Sequence, residues 1–97
     1  MRINVRLYGV FKTAAGSAVI QLDMAAPDPT VQSVIAELIS RPNYGNLKQL
    51  VLDGEARDPR PNALIMVSGR EIGALGGLGT KLKDGDELSL LPIAHGG

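Results

Sequence analysis

Apolar and polar residues alternate along the beginning of the chain, with every second residue from Ile3 to Leu7 apolar and the residues between them polar. This two-residue period is typical of a half-buried strand, which we expect to run from Arg2 to about Phe11. A second alternating segment covers residues 19–24, and the small residues 12–17 between the two segments predict a loop. The N-terminal quarter is therefore predicted to be a β-hairpin.

The period changes to that of a helix after the hairpin. Thr30 or Asp28 can cap this helix at its N-terminus, and Pro42 requires it to end before that residue. Its apolar residues recur at helical spacing, at Val31, Val34, Ile35, Leu38 and Ile39. One amphipathic helix is thus predicted to cross the sheet.

The segment 41–62 is too long for a bare connection and contains three prolines and two glycines. We expect Asn46 to cap a single helical turn, and Asp53-Gly54 to form a turn before the next strand. That helical turn would direct three apolar side chains toward the core, those of Leu47, Leu50 and Val51.

The last third of the chain has short strand signals. An apolar segment, 64–67, is followed by Ser68-Gly69 and a return arm over 70–72, which predicts a hairpin. The glycine-rich residues 73–79 predict an irregular loop. Asp84-Gly85-Asp86 predicts a turn into a final strand that directs Leu88 and Leu90 inward.

This order of elements predicts an α+β domain with β-grasp topology over residues 1–92. One helix packs on one face of a mixed sheet, and the first and last strands pair in parallel at its centre. Residues 93–97 are expected to form a flexible C-terminal tail. Gly96 and Gly97 lack side chains, so the α-carboxylate of Gly97 can be threaded as an extended ribbon through a narrow channel. A frayed terminus with no function is the alternative.

Composition limits the classes of partner and of chemical site that this chain can have. Ten Lys and Arg balance ten Asp and Glu among 97 residues, and the absence of a basic stripe argues against nucleic acid and anionic lipid as partners. The absence of cysteine excludes disulfides, thiolate metal sites and a nucleophilic thiol on this chain. No apolar stretch approaches the roughly 18 residues of a membrane span. We therefore expect a cytoplasmic protein with no membrane segment, monomeric on its own.

No catalytic or metal site can be assembled from these residues. The glycines of 73–79 lie between a hairpin and a strand, which is the wrong context for a phosphate-binding loop. Asp84, Asp86 and Glu87 lack the ligand spacing of a calcium loop, so a solvated turn is favoured. His95 is the single histidine and has no Ser, Cys or second His as a partner, so we interpret it as a spacer that a partner contacts.

Several segments together resemble a known family. Residues 64–78 (LIMVSGREIGALGGL), 80–92 (TKLKDGDELSLLP) and the terminal Gly-Gly resemble the sulfur-carrier and modifier branch of the ubiquitin-like superfamily. The helix TVQSVIAEL and the segment LDGEAR extend the resemblance over nearly the whole chain. Within this branch the chain resembles in particular the small subunit of molybdopterin synthase and the archaeal ubiquitin-like modifiers.

Three positions depart from the family pattern. Lys81 replaces a usual proline, Pro92-Ile93 replaces a usual pair of prolines, and Gly79 replaces a common aspartate. The paired prolines are typical of molybdopterin synthase small subunits. Their loss favours a modifier over a sulfur carrier.

The resemblance implies a mechanism in which partner enzymes supply every catalytic residue. An adenylating enzyme of the ubiquitin-activating type would use ATP and magnesium to convert the Gly97 carboxylate into an acyl-adenylate. Capture by an enzyme cysteine gives a thioester, and a conjugating enzyme and ligase would then attach the tail to lysines of target proteins. Capture by a persulfide gives instead a thiocarboxylate, a sulfur donor for the large subunit of molybdopterin synthase or for tRNA thiolation.

The resemblance also implies a docking surface. Alignment on the terminal glycines places Met66 and Leu91 where ubiquitin-like folds expose apolar side chains, and Pro92, Ile93 and His95 complete the expected contact residues. An exposed apolar patch of this kind usually marks an interaction site. The alternative, that Met66 and Leu91 belong to the core, stays open because a continuous apolar segment does not reveal which side chains face inward.

Overall fold

The protein is described by a computed structural model covering residues 1–52 and 58–93. Its five strands are β1 (Arg2–Leu7), β2 (Val19–Asp23), β3 (Ala63–Val67), β4 (Arg70–Glu71) and β5 (Glu87–Pro92). They form one sheet in the order β2-β1-β5-β3-β4. β1 and β5 are parallel neighbours and the other pairs are antiparallel. The predicted mixed β-grasp sheet, with the first and last strands side by side, is therefore confirmed.

Three α-helices lie in the described residues: α1 (Gly9–Ala15), α2 (Val31–Ile39) and α3 (Gly45–Leu52). Their buried side chains pack with the inward side chains of the strands into one core, in which Phe11 is the buried aromatic residue. Val5 of β1 lies opposite Leu88 of β5, and both are fully buried at the centre of the sheet. No helix within residues 1–52 or 58–93 is long and apolar enough to cross a membrane.

The region after β1 corrects the sequence prediction. The strand ends at Leu7, not near Phe11, and α1 occupies the predicted end of that strand and most of the predicted loop. The Tyr8 carbonyl accepts hydrogen bonds from the N–H groups of Phe11 (3.1 Å) and Lys12 (3.3 Å), which starts the helix. Burial of Phe11 holds the helix on the core, because so short a helix depends on packing for its stability. The prediction of one helix was therefore incomplete.

The predicted crossing helix is confirmed as α2. Of the two possible caps, Thr30 is the one used: its hydroxyl accepts from the Ser33 N–H at 3.2 Å, and the Ser33 hydroxyl accepts from the Thr30 N–H at 2.8 Å. This reciprocal arrangement satisfies two backbone donors at the helix start. The predicted apolar face packs into the core, with Ile39 partly buried at its end.

The following segment forms more helix than predicted. A 3₁₀ turn at Pro42–Tyr44 leads into α3, which has two turns where a single one was expected. Leu47 and Val51 are buried as predicted, but Leu50 is 41% exposed, so its predicted inward orientation was wrong. The predicted turn at Asp53-Gly54 lies outside the described residues.

The acidic turn before β5 fastens the strand to the N-terminus. The Asp86 N–H donates to the Lys83 carbonyl at 3.0 Å, which confirms the predicted turn. The Asp84 carboxylate accepts from the Arg2 N–H at 2.7 Å, and the Asp86 carboxylate accepts from the Lys83 N–H at 2.8 Å. Both carboxylates therefore serve backbone donors at the place where β5 starts beside β1.

Candidate functional site

The tail leaves the sheet from its central strand. β5 ends at Pro92, which lies opposite Ala63, the first residue of β3. The Ile93 N–H then donates to the Asn62 carbonyl at 3.0 Å, while 41% of Ile93 is exposed. The predicted site residues Gly96, Gly97 and His95 lie beyond this point, outside the described residues.

One face of the sheet carries an apolar patch beside this exit. Leu88 and Leu90 are buried on the helix side, so Leu91 points to the opposite, open face. Leu91 is half-buried and lies opposite Leu64 on β3, which is 39% exposed. Met66 is also half-buried and lies opposite Ser89. The structure thus brings the predicted residues Met66 and Leu91 to one face.

Two further members of this patch were missed by sequence reasoning. Leu64 was hidden in the continuous apolar segment of β3, where the outward residues cannot be distinguished from the inward ones. Tyr8 was placed inside a longer strand, but it follows β1 in extended conformation and is 40% exposed. Tyr8 and Arg6 are two residues apart in an extended segment, so their side chains point to the same, open face of the sheet. We call Tyr8, Leu64, Met66, Leu91 and Ile93 the exit patch.

Charged residues border the exit patch in pairs. Arg6 and Glu87, on adjacent strands of the open face, form an ion pair at 3.3 Å, and both side chains are about two-fifths exposed. Farther from the tail, Arg2 pairs with Asp23 at 3.2 Å. The two charges within each pair offset one another, so these pairs add little net field beside the apolar contact that this face offers a partner.

A third pair lies near Ile93. Arg60 and Ile93 both line a small cavity of about 140 Å³, and the Arg60 guanidinium contacts the Asp58 carboxylate at 2.6 Å. Side-chain hydrogen bonds from Arg60 are the main reason why the pKa of Asp58 is lowered from its ordinary value. Asp58 is therefore an ionised partner of Arg60. Glu71, which lines the same cavity, accepts a hydrogen bond from the Gly73 N–H instead.

Comparison with known proteins agrees with this geometry. The model of the ThiS family matches residues 5–97. The chain is 32% identical to small archaeal modifier protein 3 of Haloferax volcanii over 98 residues, which cover all of both chains. The fold matches the crystal structure of SAMP1 from Haloferax volcanii with a TM-score of 0.81 at 23% identity, over the full length of both chains.

A solved complex also contains a similar chain. A chain of the BexX/CysO complex from Amycolatopsis orientalis matches with a TM-score of 0.70 at 26% identity, over 98% of this chain and 99% of that one. The resemblance inferred from residues 64–78 and 80–92 is therefore confirmed. The chain belongs to the ThiS family, within the branch of the ubiquitin-like superfamily that contains sulfur carriers and small protein modifiers.

Proposed function

We propose that this protein is a small modifier whose Gly97 carboxylate is activated by a partner enzyme and then joined to lysines of target proteins. One observation carries the proposal: the similarity to small archaeal modifier protein 3 runs through the whole of both chains. The central strand β5 also supports it, since that strand leads to the tail directly beside the exit patch. The protein acts as a substrate, and its partners supply the catalysis.

The chemistry proceeds in three displacements. An oxygen of the Gly97 carboxylate attacks the α-phosphorus of ATP, which the activating enzyme holds with magnesium, and pyrophosphate leaves. A cysteine thiolate of an enzyme attacks the resulting acyl-adenylate and releases AMP, forming a thioester. The amine of a target lysine then displaces the thiolate, and loss of a proton leaves an isopeptide bond.

The exit patch is the proposed docking surface for the activating enzyme. Leu64 and Leu91 form an apolar pair across β3 and β5, and Ile93 continues the patch to the start of the tail. Binding of this patch would hold the protein while the tail enters the active site of the partner. Pro92 and His95 complete the proposed contacts, Pro92 at the end of β5 and His95 within the tail.

Activation is tested by ATP–pyrophosphate exchange with purified protein and its activating enzyme. Exchange should require Gly97, so a variant lacking that residue should lose it. Gly45→Ala is the matched control, since a methyl group there meets no atom within 4 Å and the tail is intact. Exchange that continues at the wild-type rate without Gly97 would refute the proposal.

A sulfur carrier is the second candidate. The match to the ThiS family supports it, since that branch contains sulfur carriers. Attack of an enzyme persulfide on the same acyl-adenylate would release AMP and give an acyl disulfide. A second enzyme thiol would then attack the enzyme-side sulfur, freeing a C-terminal thiocarboxylate and leaving an enzyme disulfide. Mass spectrometry of the protein from its own cells distinguishes the two fates. Conjugates on target lysines support the modifier, whereas a thiocarboxylate in the absence of conjugates supports the carrier.

The design of that experiment depends on the sequence of the tail. The last residue that trypsin can cleave after is Lys83, so digestion would leave residues 84–97 as a long branch on the target lysine. His95→Arg introduces a cleavage site that shortens the branch to Gly-Gly. Wild-type protein, digested in parallel, should give the long branch on the same lysines, which controls for an effect of the substitution on target choice.

A further inference from the structure

Pro92, the last residue of β5, lies beside the point at which β1 is followed by α1. Leu7 and Leu90 are the last paired residues of these two parallel strands. The next carbonyl along the chain after β1, that of Tyr8, already accepts from two N–H groups of α1. Asp86, just before β5, accepts from the Asn4 N–H of β1. From there every second residue directs its backbone N–H and carbonyl toward β1, and Pro92 belongs to that series. Because proline has no N–H, the strand ends here without an unpaired donor.

Gly9 lies directly against the Pro92 ring. A Cβ atom at Gly9 would lie 3.1 Å from Cγ and 3.7 Å from Cδ of Pro92. The φ angle of Gly9 is +53°, a conformation that side chains disfavour. Two independent features therefore favour glycine at this position: the backbone conformation that starts α1, and the close approach of the Pro92 ring, which would have to shift by a few tenths of an ångström to admit a Cβ atom.

The opposite side of the exit is held by a hydrogen-bond chain. The Ile93 N–H donates to the Asn62 carbonyl at 3.0 Å. The Asn62 side-chain amide in turn donates to the Val51 carbonyl in α3 at 3.1 Å, and Asn62 is only 8% exposed. The end of β5 is thus fixed by ring packing on one side and by a buried asparagine on the other.

We propose that Gly9, Pro92 and Asn62 form an exit collar that sets the direction in which the chain leaves the sheet, and that Gly9 is a positioning residue for the chemistry at Gly97. This inference rests on the proposed function. Gly97 lies four residues beyond Ile93 and, when extended in a partner's channel, is at most about 14 Å from it. If the intervening bonds did not adjust, a turn of about 10° at the collar would displace the carboxylate by about 2 Å. Rotation about those single bonds would take up part of this displacement, so we expect a moderate loss of rate.

The test compares two glycines of the same helix. Gly16, at the end of α1, has φ +75°, but a Cβ atom there meets nothing within 4 Å. Gly9→Ala and Gly16→Ala should both lower Tm because both impose a disfavoured φ on alanine, and Gly9→Ala should lower it further because its methyl group also meets Pro92. Only Gly9→Ala should accelerate hydrogen exchange of the Ile93 amide, by about tenfold. If either glycine variant fails to fold, Gly9→Asn and Gly16→Asn replace the pair, since asparagine tolerates positive φ.

Activation provides the functional readout. Gly9→Ala should lower kcat for pyrophosphate exchange by about three- to tenfold with little change in KM, because docking is intact while the carboxylate is misdirected. Gly16→Ala should leave both constants near the wild-type values. Equal effects of the two variants on kcat and on Ile93 exchange would overturn the collar.

A further test repeats the Gly9 and Gly16 substitutions in a Pro92→Ala variant, to examine the contact between residue 9 and the Pro92 ring. Pro92→Ala removes the Cγ atom that a methyl group at Gly9 would meet. In that background Gly9→Ala should change Ile93 exchange no more than Gly16→Ala does, and a persisting large effect would overturn the inference. These exchange measurements need no partner enzyme, so they test the exit collar independently of activation. If wild-type protein shows no activation dependent on Gly97, the proposed function is refuted, and the exchange data still show whether the collar exists.

Discussion

The exit patch predicts that two exposed leucines of similar accessibility differ in their effect on partner binding. Leu64 is 39% exposed on the open face of the sheet, and Leu50 is 41% exposed on α3, on the side of the molecule that carries the helices. The same change, leucine to glutamine, removes apolar surface at either site while nearly preserving side-chain length. Because neither side chain is buried, both variants should keep the wild-type Tm within a few degrees.

The expected loss of binding free energy follows from the exposed fraction of the Leu64 side chain. Full burial of a leucine side chain contributes roughly 1.5–3 kcal/mol. With 39% of Leu64 still available for a partner to cover, docking would gain about 0.6–1.2 kcal/mol from it. This corresponds to about a three- to eightfold change in Kd. The glutamine amide would be buried in an apolar contact, so the observed weakening should lie at or above this range.

The assay is titration calorimetry of each variant with the activating enzyme in the absence of ATP, so that binding is measured apart from chemistry. Leu64→Gln should weaken binding at least threefold, and Leu50→Gln should bind like the wild type. Equal Kd values for the two variants would show that the activating enzyme does not use the open face. Leu91→Arg then serves as a stronger second test, provided that its Tm confirms an intact fold.

Three further predictions concern the fold and its charges. Thr30→Ala removes the cap of α2 and should cost about 1 kcal/mol in urea denaturation, whereas Thr13→Ala, which removes no cap, should cost clearly less. Phe11→Ala should cost about 3–5 kcal/mol because the ring is buried; a loss below about 1 kcal/mol would contradict the position of α1. By NMR titration Asp58 should ionise below its ordinary pKa, and Arg60→Gln should raise that pKa part of the way back, since the backbone N–H of residue 60 still donates to the carboxylate. A lowered pKa favours the ionised form in the fold, so its small stabilising effect is present at neutral pH and disappears as the pH falls through that pKa.

The sequence by itself determined the elements whose signals are local. The alternation from Ile3 to Leu7 defines a strand because its period places the apolar side chains on one face. Thr30 and the helical spacing after it define α2, and Asp84-Gly85-Asp86 defines the turn before β5. In each case the residues that determine the structure are close together in the chain, so their pattern can be read without knowing their neighbours in space.

The tertiary structure decided the conformation and orientation of residues whose local sequence pattern is ambiguous. Val10 and Phe11 fit the end of a strand as well as the start of a helix, and the burial of Phe11 against the core favours the helix. Leu64 lies in a continuous apolar segment, so its outward orientation follows only from its register opposite Leu91. The contact of Gly9 with Pro92 joins opposite ends of the chain. Such contacts depend on strand order and register, which are properties of the folded sheet and leave no periodic signal in the sequence.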